Sequence, residues 1–107
     1  MVAQIQPQEL KRLLDHGAPV VLLDVREPQE HAYCHLPGSI LIPLGELPAR
    51  LHELDVGDEL VVVYCHHGIR SLSGAAILQQ AGFPNVASLA GGIDRWSVQI
   101  DPSMPRY

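Results

Sequence analysis

A chain of 107 residues is long enough for one hydrophobic core and too short for two, so a single domain spanning residues 1–107 is expected. With 47% hydrophobic and 18% charged residues it reads as globular, which excludes a disordered or fibrous chain. The formal net charge of −5 removes the electrostatic basis for binding nucleic acid, and no apolar run is long enough to span a bilayer.

Residues Met1 to Pro7 lack the basic and continuously apolar segments of a secretory signal, so a cytoplasmic location is expected. In that reducing setting Cys34 and Cys65 read as thiols. Pro7 is placed to open a helix whose Leu10, Leu13 and Leu14 share one face, and Gly17 can end it in a left-handed conformation. The apolar run Val20 to Val25 predicts a strand; a short helix from about Pro28 to Tyr33 follows, then a strand at Ile40-Leu41-Ile42 and a helix from about Gly45 to Glu53.

Leu60 to Tyr64 predicts another strand, and Ser71 to Ala81 the strongest helix. Its stripe runs through Leu72, Ala75, Ala76 and Gln79, widened by Ile77 and Leu78, with Gly82 as the stop. Val86 to Leu89 is the last strand, after which Gly91-Gly92 turns into a short helix carrying Trp96, read as core. The tail, about 99–107, is too rich in proline to be regular. Apolar runs that are continuous rather than alternating belong to strands covered on both faces. The expected fold is therefore α/β: a mostly parallel central sheet flanked by helices on both faces.

Ligands of such sheets bind outside the carboxyl ends of the strands, which is where Cys65 falls. The stretch Cys65-His66-His67-Gly68-Ile69-Arg70-Ser71 joins a strand to a helix. A cysteine attacks as thiolate, and a free thiol with pKa near ~8.5 is mostly protonated at neutrality, so a nucleophilic role needs a group that favours the anion. Gly68 permits a tight loop that turns amides inward, the helix from Ser71 adds its positive end, Arg70 adds a permanent positive charge, and His66 and His67 add one conditional on protonation. The plain alternative is an inert, buried cysteine ending a strand.

Together these segments resemble the rhodanese family of sulfurtransferases over nearly the whole chain. Carrying the resemblance are Leu22 to Glu27, His35-Leu36-Pro37-Gly38-Ser39 with Ile42-Pro43, the Cys65 loop, and Leu89-Ala90-Gly91-Gly92-Ile93 with Trp96. It implies a single rhodanese-like domain in which Cys65 takes sulfur from a small donor such as thiosulfate and passes it, through a persulfide, to cyanide or a thiol. No cofactor and no metal are expected. The resemblance implies a substrate cradle from His66, His67, Gly68, Ile69 and Arg70, with Asp24, Arg26 and Ser71 as supporting residues. Related phosphatases that share the fold place five residues between Cys and Arg, whereas four separate Cys65 from Arg70.

Further readings accompany this one. His31, Cys34 and His35 with Cys65, His66 and His67 offer zinc-type ligands, but their spacing matches no familiar zinc framework. Cys34 stands where many rhodaneses have glycine, and reads as a tolerated small residue before a resolving thiol for Cys65. His66 stands where arginine is frequent in the family, so attraction for a dianionic donor is expected to fall as the imidazole loses its proton. The tail resembles the ends of rhodanese domains fused to adenylating proteins of sulfur transfer, which makes a protein sulfur donor or acceptor the second reading. A silent binding domain is disfavoured by the presence of both Cys65 and Arg70.

Overall fold

In the computed structural model, which describes residues 2–107, five strands form one sheet in the order β1-β5-β4-β2-β3. They are β1 (Ala3–Ile5), β2 (Val20–Asp24), β3 (Ile40–Leu41), β4 (Leu60–Tyr64) and β5 (Val86–Leu89). Every pairing is parallel, with Val20 to Asp24 matching Leu60 to Tyr64 residue for residue. The helices are α1 (Pro7–Asp15), α2 (Pro28–Tyr33), α3 (Leu47–Arg50), α4 (Arg70–Gln80) and α5 (Gly92–Gln99).

Strand β4 lies at the centre of the sheet and is buried on both faces. Val61, Val63 and then Cys65 point to one face, where they pack with Leu47 of α3 and Ala75 and Leu78 of α4. Val62 and Tyr64 point to the other, against Leu10 of α1 and Ile93 and Trp96 of α5. Two covers explain why the strand reads as an unbroken apolar run. Gly74 brings α4 close to the sheet: a Cβ there would sit 3.1 Å from Val63 and 3.3 Å from Val25. The first turn of α4 is thereby seated beside the end of β4.

Several elements differ from their sequence expectations. β1 was not expected, because three residues with one buried side chain, Ile5, carry no periodicity. The segment 45–53 is not one helix but a 3-10 turn (Leu44–Glu46), the single turn of α3 and a second 3-10 turn (Leu51–Glu53). Pro48 accounts for the first break: it has no N–H for the Leu44 carbonyl, which takes the Leu47 amide instead. On α4 the buried stripe is Ser71, Gly74, Ala75 and Leu78, while Leu72 and Ala76 are half-buried and Gln79 is exposed. Small residues face the sheet there because the helix approaches it so closely.

The Gly91-Gly92 turn fixes the end of β4 from the opposite side. Both residues have left-handed φ, +74° and +63°, and a Cβ on Gly92 would collide with the carbonyls of Cys65 and His66. Through this turn α5 reaches the Cys65 loop, the Ile93 amide donating to the Cys65 carbonyl at 2.9 Å and the Asp94 amide to the His66 carbonyl at 3.1 Å. Those amides belong to the first turn of α5, where no helical carbonyl is available to them. Replacing Gly92 with alanine is expected to cost roughly 2–4 kcal/mol of stability, as strain at a left-handed residue plus a displaced loop. Urea unfolding measures it, and an unchanged midpoint would contradict the assigned role.

Candidate active site

The Cys65 side chain is 1% exposed and lies between the end of β4 and the start of α4. Two amides point at its sulfur: Gly68 N–H at 3.1 Å and Ser71 N–H at 3.3 Å. Gly68 can do this because its φ of +98° swings the loop back, and a Cβ there would crowd the Gly91 amide and the Leu89 carbonyl at 3.2 and 3.3 Å. Ser71 can do it because its N–H belongs to the first turn of α4 and has no partner within the helix. The expected cradle of His66 to Arg70 is therefore narrower at the sulfur and extends one residue further. His66, His67, Ile69 and Arg70 donate no amide to Sγ among the described residues.

A hydroxyl chain continues from the sulfur. The thiol is 3.5 Å from Ser71 Oγ, which pairs at 2.7 Å with Ser88 Oγ on β5. Both serines are buried. Ser88 carried no signal in the sequence, since a serine in a short strand resembles any other small residue. Ser71, expected to support the site, contributes an amide and a hydroxyl to it.

Arg70 is not turned towards the sulfur. Its two terminal nitrogens grip Glu30 of α2 at 2.8 and 2.9 Å, a bidentate pair between residues 40 positions apart. Glu30 also closes a reciprocal capping box with Glu27, whose amide donates to it at 3.0 Å. The hydrogen bonds from Arg70 outweigh burial and hold the Glu30 carboxyl down at about 2. Opposite charges on the first turns of two helices that begin at the same edge of the sheet pair directly. Glu30 was missed by sequence reasoning, although its place three residues after Glu27 marks it as a cap.

Asp24 and Arg26 form a wholly buried ion pair. Asp24 accepts the Arg26 backbone amide at 3.0 Å, Arg26 Nε at 2.9 Å and Arg26 Nη2 at 2.7 Å, and His31 Nδ1 lies 2.8 Å from its second oxygen. Arg26 Nη2 donates also to the Cys34 carbonyl at 2.6 Å, and Nη1 to the Tyr107 hydroxyl at 2.8 Å. Burial opposes its charge, but hydrogen bonds with Asp24 and Tyr107 outweigh that and keep the guanidinium firmly protonated. The pair lies under the end of β2 and makes no contact with Sγ.

The tail is irregular, as expected, yet it is anchored to the site. Tyr107 donates its hydroxyl proton to Glu30 at 2.8 Å, and its ring stacks on His66 with centroids 3.9 Å apart and planes at 9°. His67 continues the stack at 3.9 Å from His66. Arg106 pairs with Asp94 at 2.9 Å, fastening the tail to α5. Tyr107 was not among the expected site residues, because a lone aromatic after a proline-rich stretch has no pattern; the likeness of the tail to other domain ends was its one signal.

The zinc-type residues are dispersed. Cys34 packs on the Tyr64 face of the sheet and Cys65 on the other, His31 is taken by Asp24, and His35 Nδ1 lies 2.8 Å from the His31 carbonyl. No set of three His, Cys, Asp or Glu among the described residues is arranged to hold a metal. Both cysteines are free thiols.

His66 departs from the sequence expectation in its charge. Desolvation lowers its pKa below 6.5, neighbouring His67 adds to this, and its Nε2 is buried without a hydrogen-bond partner. A depressed imidazole is neutral at pH 7, so it supplies no cationic charge there, and the expected loss of attraction moves below 6.5. Following the ring-proton shifts by NMR should give His66 a midpoint below 6.5; a midpoint above that would overturn this picture of the loop.

Comparison with known proteins fits this geometry. A family model described as rhodanese-like domain matches residues 6–99. The chain is 39% identical to the probable adenylyltransferase/sulfurtransferase MoeZ of Mycobacterium tuberculosis over 96% of its own length, though it spans only 26% of that protein. It is 39% identical to the thiosulfate sulfurtransferase GlpE of Pseudomonas syringae, covering 87% of this chain and 85% of that one. A rhodanese-like domain protein of Staphylococcus aureus superposes with a TM-score of 0.84 at 27% identity, with 99% of each chain covered.

Proposed function

The chain belongs to the rhodanese-like family of sulfurtransferases, and from that premise we propose that Cys65 carries sulfane sulfur as a persulfide between a donor and a thiophilic acceptor. The observation that carries this reading is the sulfur itself, buried at a strand end with the Gly68 and Ser71 amides directed at it. With thiosulfate as donor, the Cys65 thiolate attacks the outer sulfur, an Sγ–S bond forms, the donor S–S bond breaks, and sulfite leaves with the bonding pair. A thiol or cyanide then takes the outer sulfur and the thiolate returns. Negative charge on the sulfur is met by two backbone dipoles that need no proton of their own.

A relay between proteins is the second reading, favoured by what surrounds the mouth. Ile69 is 76%, Tyr33 56% and Tyr107 44% exposed, an apolar rim about the loop that suits a docked protein better than a small anion. The likeness to MoeZ, which carries both adenylyltransferase and sulfurtransferase in its name, supports the same idea. A phosphatase reading is not adopted. The four-residue span from Cys65 to Arg70 leaves amides on the sulfur and Arg70 on Glu30, so no ring of donors is offered to a phosphate.

Intact mass spectrometry after incubation with thiosulfate, 3-mercaptopyruvate or a persulfidated cysteine desulfurase tests the reading. The chain and its Cys34→Ser variant are expected to gain one sulfur from at least one donor, and Cys65→Ser none. Absence of any gain in folded protein would refute sulfur carriage. Because Cys34 and Cys65 face opposite sides of the sheet, Cys34→Ser should also leave turnover unchanged.

A further inference from the structure

Three arginines around the mouth already have carboxylate partners. Arg70 is held by Glu30, Arg26 by Asp24 and Arg106 by Asp94, each at 2.9 Å or less. His67 lies 3.8 Å from Asp94, whose carboxylate it shares with Arg106. The chain as a whole is also acidic, with a formal charge of −5. Against this stands the need of a dianionic donor, which gains most from a guanidinium left open to it.

Glu30 is a member of this set that the fold could release at less cost than Asp24. Asp24 and Arg26 are wholly buried, whereas Arg70 is 37% and Glu30 17% exposed. Glu30 is nevertheless held in place from three sides: by Arg70, by the Glu27 amide and by the Tyr107 hydroxyl. That tail contact spans 77 positions and fixes the carboxylate against Arg70 rather than letting it swing into solvent.

We propose that Glu30 sets the donor class: by occupying the Arg70 guanidinium it turns the mouth away from thiosulfate and towards a thiol persulfide, R–S–SH. This rests on the sulfurtransferase reading above. In the favoured step the Cys65 thiolate attacks the terminal sulfur of R–S–SH, the Sγ–S bond forms, the donor S–S bond breaks, and R–S⁻ leaves with the electron pair. Cys65 then holds –S–SH, and the thiolate that has left takes a proton from water. The reacting sulfurs carry one negative charge throughout, and the Gly68 and Ser71 amides suffice for it. Thiosulfate would bring two more and expel sulfite past the guanidiniums of Arg26, Arg70 and Arg106, each already paired with a carboxylate. Glu30 acts through Arg70 and is a positioning residue.

The test compares kcat/KM for thiosulfate with kcat/KM for glutathione persulfide in the wild type, Glu30→Gln and Glu30→Asp. Glutamine keeps a capping acceptor at the third position of α2 but frees Arg70 of its counter-charge. Expected is a rise of at least about tenfold in the thiosulfate-to-persulfide ratio for Glu30→Gln, mainly through a lower KM for thiosulfate, a size set by charge-assisted bonding to one guanidinium. Glu30→Asp, which retains the charge, should stay near the wild-type ratio. A Glu30→Gln variant that loses both activities in parallel, or loses thiosulfate activity alone, overturns the assignment. Salt gives a second measurement on the unaltered protein. From roughly 0.01 to 0.1 M salt, over which the Debye length shrinks from ~30 to ~10 Å, the wild-type kcat/KM for thiosulfate should not fall. A severalfold fall would reveal open positive charge at the mouth and overturn the proposal. If neither donor leaves sulfur on wild-type Cys65, the sulfurtransferase reading fails first and takes the role of Glu30 with it.

Discussion

A guanidinium with no exposed surface, set against a carboxylate with none, governs the architecture around this site. Removing both from water is costly, and the cost is offset only because Arg26 places four of its N–H groups: three on Asp24 and Cys34, and one on Tyr107. Its charge also lies 5.4 Å from the centre of the Tyr64 ring on the neighbouring strand. The end of β2, the end of α2 and the chain terminus are thus drawn to one point. Losing either partner would leave a buried charge unmatched, a change worth ~3–5 kcal/mol. Glu30 and Tyr107 meet beside the Cys65 loop because Arg26 holds the segments that carry them.

The site works with two kinds of positive potential that are used differently. Side-chain cations are paired with carboxylates and serve to fasten elements: α4 to α2, the tail to α5, and β2 to the turn after it. Backbone amides alone are directed at the sulfur. Amides carry partial charge in a fixed direction and cannot be drawn off by a passing counter-ion. The sulfur thus has a steady electrostatic environment, while the side-chain pairs around it can be altered one at a time.

What was legible in the sequence follows from what is local. The strand ending at Tyr64, the helix beginning near Ser71 and the glycine between them are encoded within a dozen residues, so Cys65 and its loop could be placed without coordinates. Gly17, Gly82 and the Gly91-Gly92 turn end or begin helices with positive φ, as their positions imply. The partner of Arg70 was not legible, because charge pairing between residues 40 and more apart depends on which loops reach the same edge of the sheet. Tyr107 escaped for the same reason. Neither could the protonation of His66 be read, since it comes from burial against the stack and not from the residue type. β1 was lost for want of length, and the stretch 45–53 looked like a helix because Pro48 breaks the hydrogen-bond ladder without breaking the apolar pattern.

Alternation along β4 settles more than core packing. Odd positions 61, 63 and 65 look one way and even positions 62 and 64 the other, and the same parity that buries Val63 delivers the thiol to the amides. Were the strand lengthened by one residue before Tyr64, the phenol would arrive where the thiol now sits; were it shortened by one, the thiol would take the place of the phenol beneath Arg26. The thiol is therefore addressed by counting: its location is inherited from the pleat, and insertions in β4 leave it facing the amides only in pairs.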